Sequence, residues 1–250
     1  MIASLPMYLR PETRPVTEAF WAATRNALRA RGIDAPERLD HDATPEAAWA
    51  DPGLVLSQIC NLPWRLGFEA RVTLVAAPDH RLPDTPPGQY HSALVVGAED
   101  PRRTLAAFDG ATIAINGADS QSGWGAPVAA ASRAGIAFAR ARVTGAHRES
   151  ARAVAEGRAD IAAIDAASWE MIARWDAFAG ALRVLARTPP TPALHFVTAK
   201  GTDPAPIRAA LTEALETLSA EARATLGIHA ILPPDPEGYA RLPVPELPPG

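Results

Sequence analysis

Thr112-Ile113-Ala114-Ile115-Asn116-Gly117-Ala118-Asp119-Ser120-Gln121-Ser122-Gly123-Trp124 is the stretch on which the fold turns. Residues 112–116 read as a strand, Asn116-Gly117 breaks it, and a Ser/Asp cluster opens an alanine-rich helix expected over 121–135. The same order recurs downstream. A strand over 141–144 precedes a helix over 148–156, and a strand over 161–165 precedes a helix over 168–175. Strands alternating with helices predict an α/β architecture.

Upstream, strands are expected over 2–8, 54–56, 71–77 and 92–96. An amphipathic helix over 17–31 carries Phe20, Trp21, Ala23, Thr24, Ala27 and Leu28 on one face, and Gly32 supplies its stop. Downstream, a strand over 182–186 runs back towards 194–198, and helices follow over 205–219 and 221–226. Thr188-Pro189-Pro190-Thr191-Pro192 suits an extended connector, because proline fixes φ and lacks an N–H. The predicted fold is therefore α/β in two lobes, each a mainly parallel sheet flanked by helices. Residues 1–96 plus 188–250 form the first lobe and 97–187 the second.

The 250 residues carry a net charge of −4 with no basic stripe, which argues against nucleic acid as a partner. One cysteine, Cys60, excludes an intramolecular disulfide. No apolar run approaches the ~20 residues of a membrane helix, so no membrane insertion is expected. Met1 to Tyr8 reads as a strand rather than a signal peptide. That predicts a cytoplasmic protein as the sequence stands, or a periplasmic one if an export signal has been lost. The six histidines are scattered, so neither a metal nor another cofactor is expected.

Three features could carry chemistry. The helix start at Ser120, Gln121, Ser122 and Gly123 offers unpaired first-turn N–H groups, a partial positive charge and two hydroxyls. These suit an oxyanion, and plain helix capping uses the same residues. The lysine of a nucleotide-binding P-loop is absent. His147, after the strand 141–144, could donate to an oxyanion or stand in solvent at a helix start. Asp165, after four apolar residues, could accept from a ligand or cap the next helix. All three fall at carboxyl ends of successive strands, where α/β sheets bind ligands.

With Ser57-Gln58, Gly88-Gln89-Tyr90-His91-Ser92, Asp119-Ser120-Gln121-Ser122-Gly123, Gly145-x-His147 and Gly157-Arg158-Ala159-Asp160 in place, the chain resembles a known group. These are the phosphate, phosphite and phosphonate binding proteins of ABC transporters, with the type 2 periplasmic-binding fold. The resemblance implies a ligand cleft between the lobes, phosphoryl oxygens at 120–123, His147 as a further donor, and Tyr90, Tyr8, Ser57 and Gln58 contributing from the other lobe. It also implies the membrane subunits of an ABC transporter as partners, a monomeric chain and no catalysis. The two acidic groups that hold a ligand ammonium in aminophosphonate binders align near Ala167 and Leu194, neither of them acidic. A smaller oxyanion is expected instead. The alternative reading is a cytoplasmic enzyme or ligand sensor on the same fold, for example one eliminating a carboxylate substrate as in menaquinone biosynthesis, with His147 and Asp165 as acid and base.

Overall fold

The computed structural model describes residues 1–250. Its strands in chain order are β1 (Ile2–Ala3), β2 (Leu54–Ile59), β3 (Val72–Asp79), β4 (Gln89–Tyr90), β5 (Ser92–Gly97), β6 (Thr112–Ile115), β7 (Arg140–Val143), β8 (Ile161–Asp165), β9 (Leu182–Arg187), β10 (Thr191–Pro192), β11 (His195–Ala199) and β12 (Ala230–Leu232). The α-helices are α1 (Arg14–Ala30), α2 (Pro45–Ala50), α3 (Asn61–Arg65), α4 (Ala126–Arg133), α5 (His147–Ala155), α6 (Ala166–Trp175), α7 (Pro204–Thr217), α8 (Ala220–Leu226) and α9 (Pro236–Arg241). None is long and apolar enough to cross a membrane.

The chain packs as two compact units. Unit 1 comprises Met1–Arg81, Pro87–Gln89 and Pro192–Arg241, and unit 2 comprises Leu82–Pro86, Tyr90–Thr191 and Leu242–Gly250. The division departs from the sequence expectation at 96. Ser92–Gly97 belongs with unit 2 because β5 is hydrogen-bonded along its length to β8 and β9. The tail after Arg241 also joins unit 2.

Unit 1 carries the sheet β1-β2-β11-β3-β12. Here β1 runs parallel to β2, while β11 is antiparallel to both β2 and β3, and β12 is antiparallel to β3. Helix α1 starts three residues earlier than expected, with Pro15 in the first turn, where its missing N–H costs nothing. Its Phe20, Trp21, Thr24, Ala27 and Leu28 are buried as the periodicity predicts. Phe20 meets Phe196 at 6.3 Å between ring centroids, and Ile207 and Leu211 of α7 complete that face. Each such side chain contributes about 1.5–3 kcal/mol on burial. The expected strand over 2–8 shortens to β1, with Pro6 closing off further pairing, so Tyr8 stands in a turn.

Unit 2 carries the sheet β7-β6-β8-β5-β9. β6 runs parallel to β7 and β8, whereas β5 is antiparallel to β8 and β9. Four of these strands share one direction and β5 alone opposes them, so the pairing is mixed rather than mainly parallel. The two faces are separated by alternation. Ala93, Val95, Ala114, Ala162 and Ile164 pack on α5 and α6, while Leu94, Val96, Ile113, Ile115 and Ala163 pack with Trp124 and Phe138. A sheet covered on both faces requires the near-continuous apolar strands seen in β5 and β8.

Candidate functional site

Strands β7, β6 and β8 are adjacent and parallel, so their carboxyl ends lie side by side. The Ser120–Ser122 loop and His147 follow the ends of β6 and β7, and Asp165 is the last residue of β8. Two backbone bonds tie the first two loops together. Thr144 N–H donates to Ile115 O at 2.9 Å, and Gly145 N–H donates to Asn116 O at 3.1 Å. Gly145 takes φ 88°, a left-handed turn that points the chain into α5 at His147.

The expected helix over 121–135 divides in two. Gln121–Gly125 is one wide π-type turn, and only then does α4 begin. Two glycines and Pro127, which has no N–H, weaken a regular α-ladder at this point. Ser120 holds the turn. Its Oγ accepts from Gly123 N–H at 3.0 Å, and its carbonyl accepts from Trp124 N–H at 2.9 Å and Gly125 N–H at 3.0 Å. The Ser122 N–H precedes these amides and donates to no backbone carbonyl, as first-turn donors do. Gln121 is buried and its amide folds back over Gly125, where a Cβ would lie 2.8 Å from Oε1. Asn116 covers Gly123 so closely that a Cβ there would collide with its Oδ1.

Three hydroxyls and a histidine converge on this turn. Ser122 Oγ lies 2.8 Å from His147 Nε2 and 3.4 Å from Ser120 Oγ. Ser92 Oγ donates to the Ser122 carbonyl at 2.9 Å. His147 is partly exposed, yet its Nδ1 is buried without a hydrogen-bond partner. Burial pushes the His147 imidazole below the usual histidine range. The Asp165 carboxylate and the Ala163 carbonyl act in the opposite direction, the latter without hydrogen-bond geometry. A neutral imidazole against a serine hydroxyl forms a pair in which either partner can donate. Asp165 is 2% exposed and caps α6, its Oδ1 accepting from Ser168 N–H at 2.9 Å. The neighbouring Arg148 is engaged with Asp176 at 2.5 and 2.8 Å.

Ser92 was not singled out as a site residue from sequence. The available signal was a lone hydroxyl opening an apolar strand, since buried polar groups must find partners. Tyr90 is 1% exposed and lies in unit 2, two residues before Ser92, rather than in the other lobe as expected. Tyr8, Ser57 and Gln58 lie in unit 1. Tyr8 packs edge-on against His80 at 5.3 Å, and Tyr8 and Gln58 line one small cavity with Leu5, Phe20 and Phe196. Gln58 also reaches Leu194 O at 3.4 Å. Ser57 is fully buried with its Oγ unpartnered. Neighbours on a strand face opposite sides, so Ser57 does not share that cavity.

The sequence profile of the family described as ABC transporter, phosphonate, periplasmic substrate-binding protein matches residues 64–239. No curated protein matches the chain. Among solved structures, the chain is similar to XAC2383 from Xanthomonas citri bound to ATP, with TM-score 0.71 and 19% identity over 97% of this chain and 94% of that one. It is similar to PhnD1 from Prochlorococcus marinus in complex with methylphosphonate, with TM-score 0.71 and 14% identity over 96% and 94%. MatC from Rhodopseudomonas palustris with bound malate follows at TM-score 0.60 and 16% identity over 96% and 92%. At such identities the likeness concerns the fold, which in these relatives is the two-lobed periplasmic-binding one. With the profile covering well over half of the 250 residues, the chain belongs to the phosphonate ABC-transporter periplasmic substrate-binding protein family.

Proposed function

We propose that this substrate-binding protein takes a compact phosphate-like oxyanion (phosphate, phosphite or a small phosphonate) on the π-type turn of unit 2. It would hand that ligand to the membrane subunits of an ABC uptake system. The observation that carries the reading is the convergence of Ser120 Oγ, Ser122 Oγ and His147 Nε2 on a turn whose first N–H groups precede its own ladder. The donors are neutral hydroxyls, an amide and an imidazole. Preorganised neutral donors at a helix start hold an oxyanion without a salt bridge. The Asp165 charge, close enough to act on His147, disfavours a fully ionised ligand and favours one that retains a proton.

Thermal unfolding in the presence of phosphate, phosphite, methylphosphonate, sulfate and malate tests this reading. A ligand that binds only the native state stabilises it by about 2.7 kcal/mol at one hundred times its Kd. At least one phosphorus oxyanion should raise the melting temperature more than sulfate or malate does. Stabilisation by malate alone would move the ligand to the carboxylates, and no response to any oxyanion would remove the proposal.

A further inference from the structure

The chain's last nine residues, Leu242-Pro243-Val244-Pro245-Glu246-Leu247-Pro248-Pro249-Gly250, form neither helix nor strand and belong to unit 2. They are seated at two points. The Trp124 indole N–H donates to the Glu246 carbonyl at 2.7 Å, and Ala141 N–H donates to the Pro249 carbonyl at 3.0 Å. Between these points Glu246, Leu247 and Pro249 form one wall of an open pocket whose opposite wall includes Trp124, Val128, Ala131 and Phe138, and the Leu247 side chain is exposed. Ala141 lies in β7, the edge strand of the unit 2 sheet, so Pro249 takes a donor on an otherwise open edge.

Trp124 is the link to the candidate site. It is the fourth residue of the Gln121–Gly125 turn and is 4% exposed, and its own N–H closes the turn on Ser120 O. An indole N–H is donor-only and needs an acceptor when buried. The Glu246 carbonyl is that acceptor, so the tail fixes the indole and the indole fixes the turn carrying Ser122. Four prolines restrict the tail's φ angles before it docks, which lowers the conformational entropy lost on seating it.

We infer that the proline-rich tail is a positioning strap for the anion turn, with the Glu246 carbonyl and the Trp124 indole as its contact. Trp124 is a positioning residue that acts through the backbone of 121–125 and need not touch the ligand. The inference rests on the proposed function only for its effect on affinity. Its effect on the turn stands independently of any ligand.

The test compares the full chain, a chain ending at Arg241 and full-length Trp124→Phe by amide hydrogen exchange and by titration with inorganic phosphate and methylphosphonate. Removing the tail should speed exchange at 121–125 at least tenfold while the strands of unit 1 keep their protection. Trp124→Phe, which keeps a ring but loses the donor, should speed it about threefold. For whichever oxyanion binds the full chain, the truncated chain should bind at least fivefold more weakly. The synthetic nonapeptide of residues 242–250, added in excess, should restore slow exchange at the turn, which a general loss of stability would not allow. Unchanged exchange at 121–125 in both variants overturns the strap. If no oxyanion binds the full chain but exchange responds as described, the strap stands and the proposed ligand falls.

Discussion

Gly123→Ala sets two effects of opposite sign against each other at the centre of the site. Gly123 does not occupy the left-handed region, so its backbone accepts alanine. Removing a glycine from the unfolded ensemble would then stabilise the protein by about 0.4–1 kcal/mol. Against this, the new Cβ would collide with Asn116 Oδ1 and lie 3.2 Å from both Asn116 Cγ and Ser120 Oγ. The Asn116 side chain must turn away to make room, while Ser120 Oγ, held by Gly123 N–H, stays in place against the new Cβ. Overpacking of this kind costs about 1–3 kcal/mol, so the clash wins. At about 2–4 °C per kcal/mol, melting should fall by several degrees, read by calorimetry or circular dichroism. Asn116 Oδ1 has no hydrogen-bond partner to lose, so Asn116→Ala in the same chain should recover most of the deficit. A Gly123→Ala protein as stable as its parent or more so, or a double variant no better than the single one, would refute this packing of the turn.

Ser122→Ala deletes the hydroxyl facing His147 Nε2 and should weaken oxyanion binding by about 1.5–3 kcal/mol, measured by calorimetric titration. Asp165→Asn keeps an N-capping side chain but removes the charge acting on His147. Its binding of phosphate should gain most at alkaline pH, and a pH profile identical to the parent's would clear Asp165 of any part in selecting ligand protonation. A third prediction concerns unit 1, where buried His195 sits between Ala193 O, 2.8 Å from Nδ1, and Asp235 N–H, which donates to Nε2 at 2.9 Å. Burial lowers its pKa from 6.5 to about 4. The unfolded chain therefore binds more protons across that window, and stability is complete above pH 6.5 and lost as pH falls towards 4. The ceiling on this loss is about 3 kcal/mol. Urea unfolding of His195→Gln should show a pH slope over pH 4–6.5 shallower by one proton's share than the parent's.

Much of this molecule was legible in residue order, and the misses share a physical cause. The face of α1 and the strands β2, β3, β6 and β8 follow from apolar periodicity, a local property of the chain. The direction of β5 does not. Ser92–Gly97 reads the same whether it runs with β8 or against it, and only the path of the chain makes the pairing antiparallel. Side-by-side placement of Ser120, His147 and Asp165 was readable because parallel neighbours end on the same edge. The π-type turn was not, since its geometry depends on Asn116 pressing on Gly123 and on Ser120 closing three amides. The roles of Ser92 and the tail were not legible for a related reason. A single hydroxyl and a run of prolines acquire meaning only from what they touch, here the Ser122 carbonyl and the Trp124 indole.

A crystal structure of the chain grown with methylphosphonate would locate the anion directly. Phosphonate oxygens should lie within hydrogen-bond distance of the Ser122 N–H, of the Ser120 and Ser122 hydroxyls and of His147 Nε2, with no arginine or lysine in contact. A phosphonate seated away from the 120–123 turn, or held there by a cationic side chain in place of these donors, would contradict the proposed site.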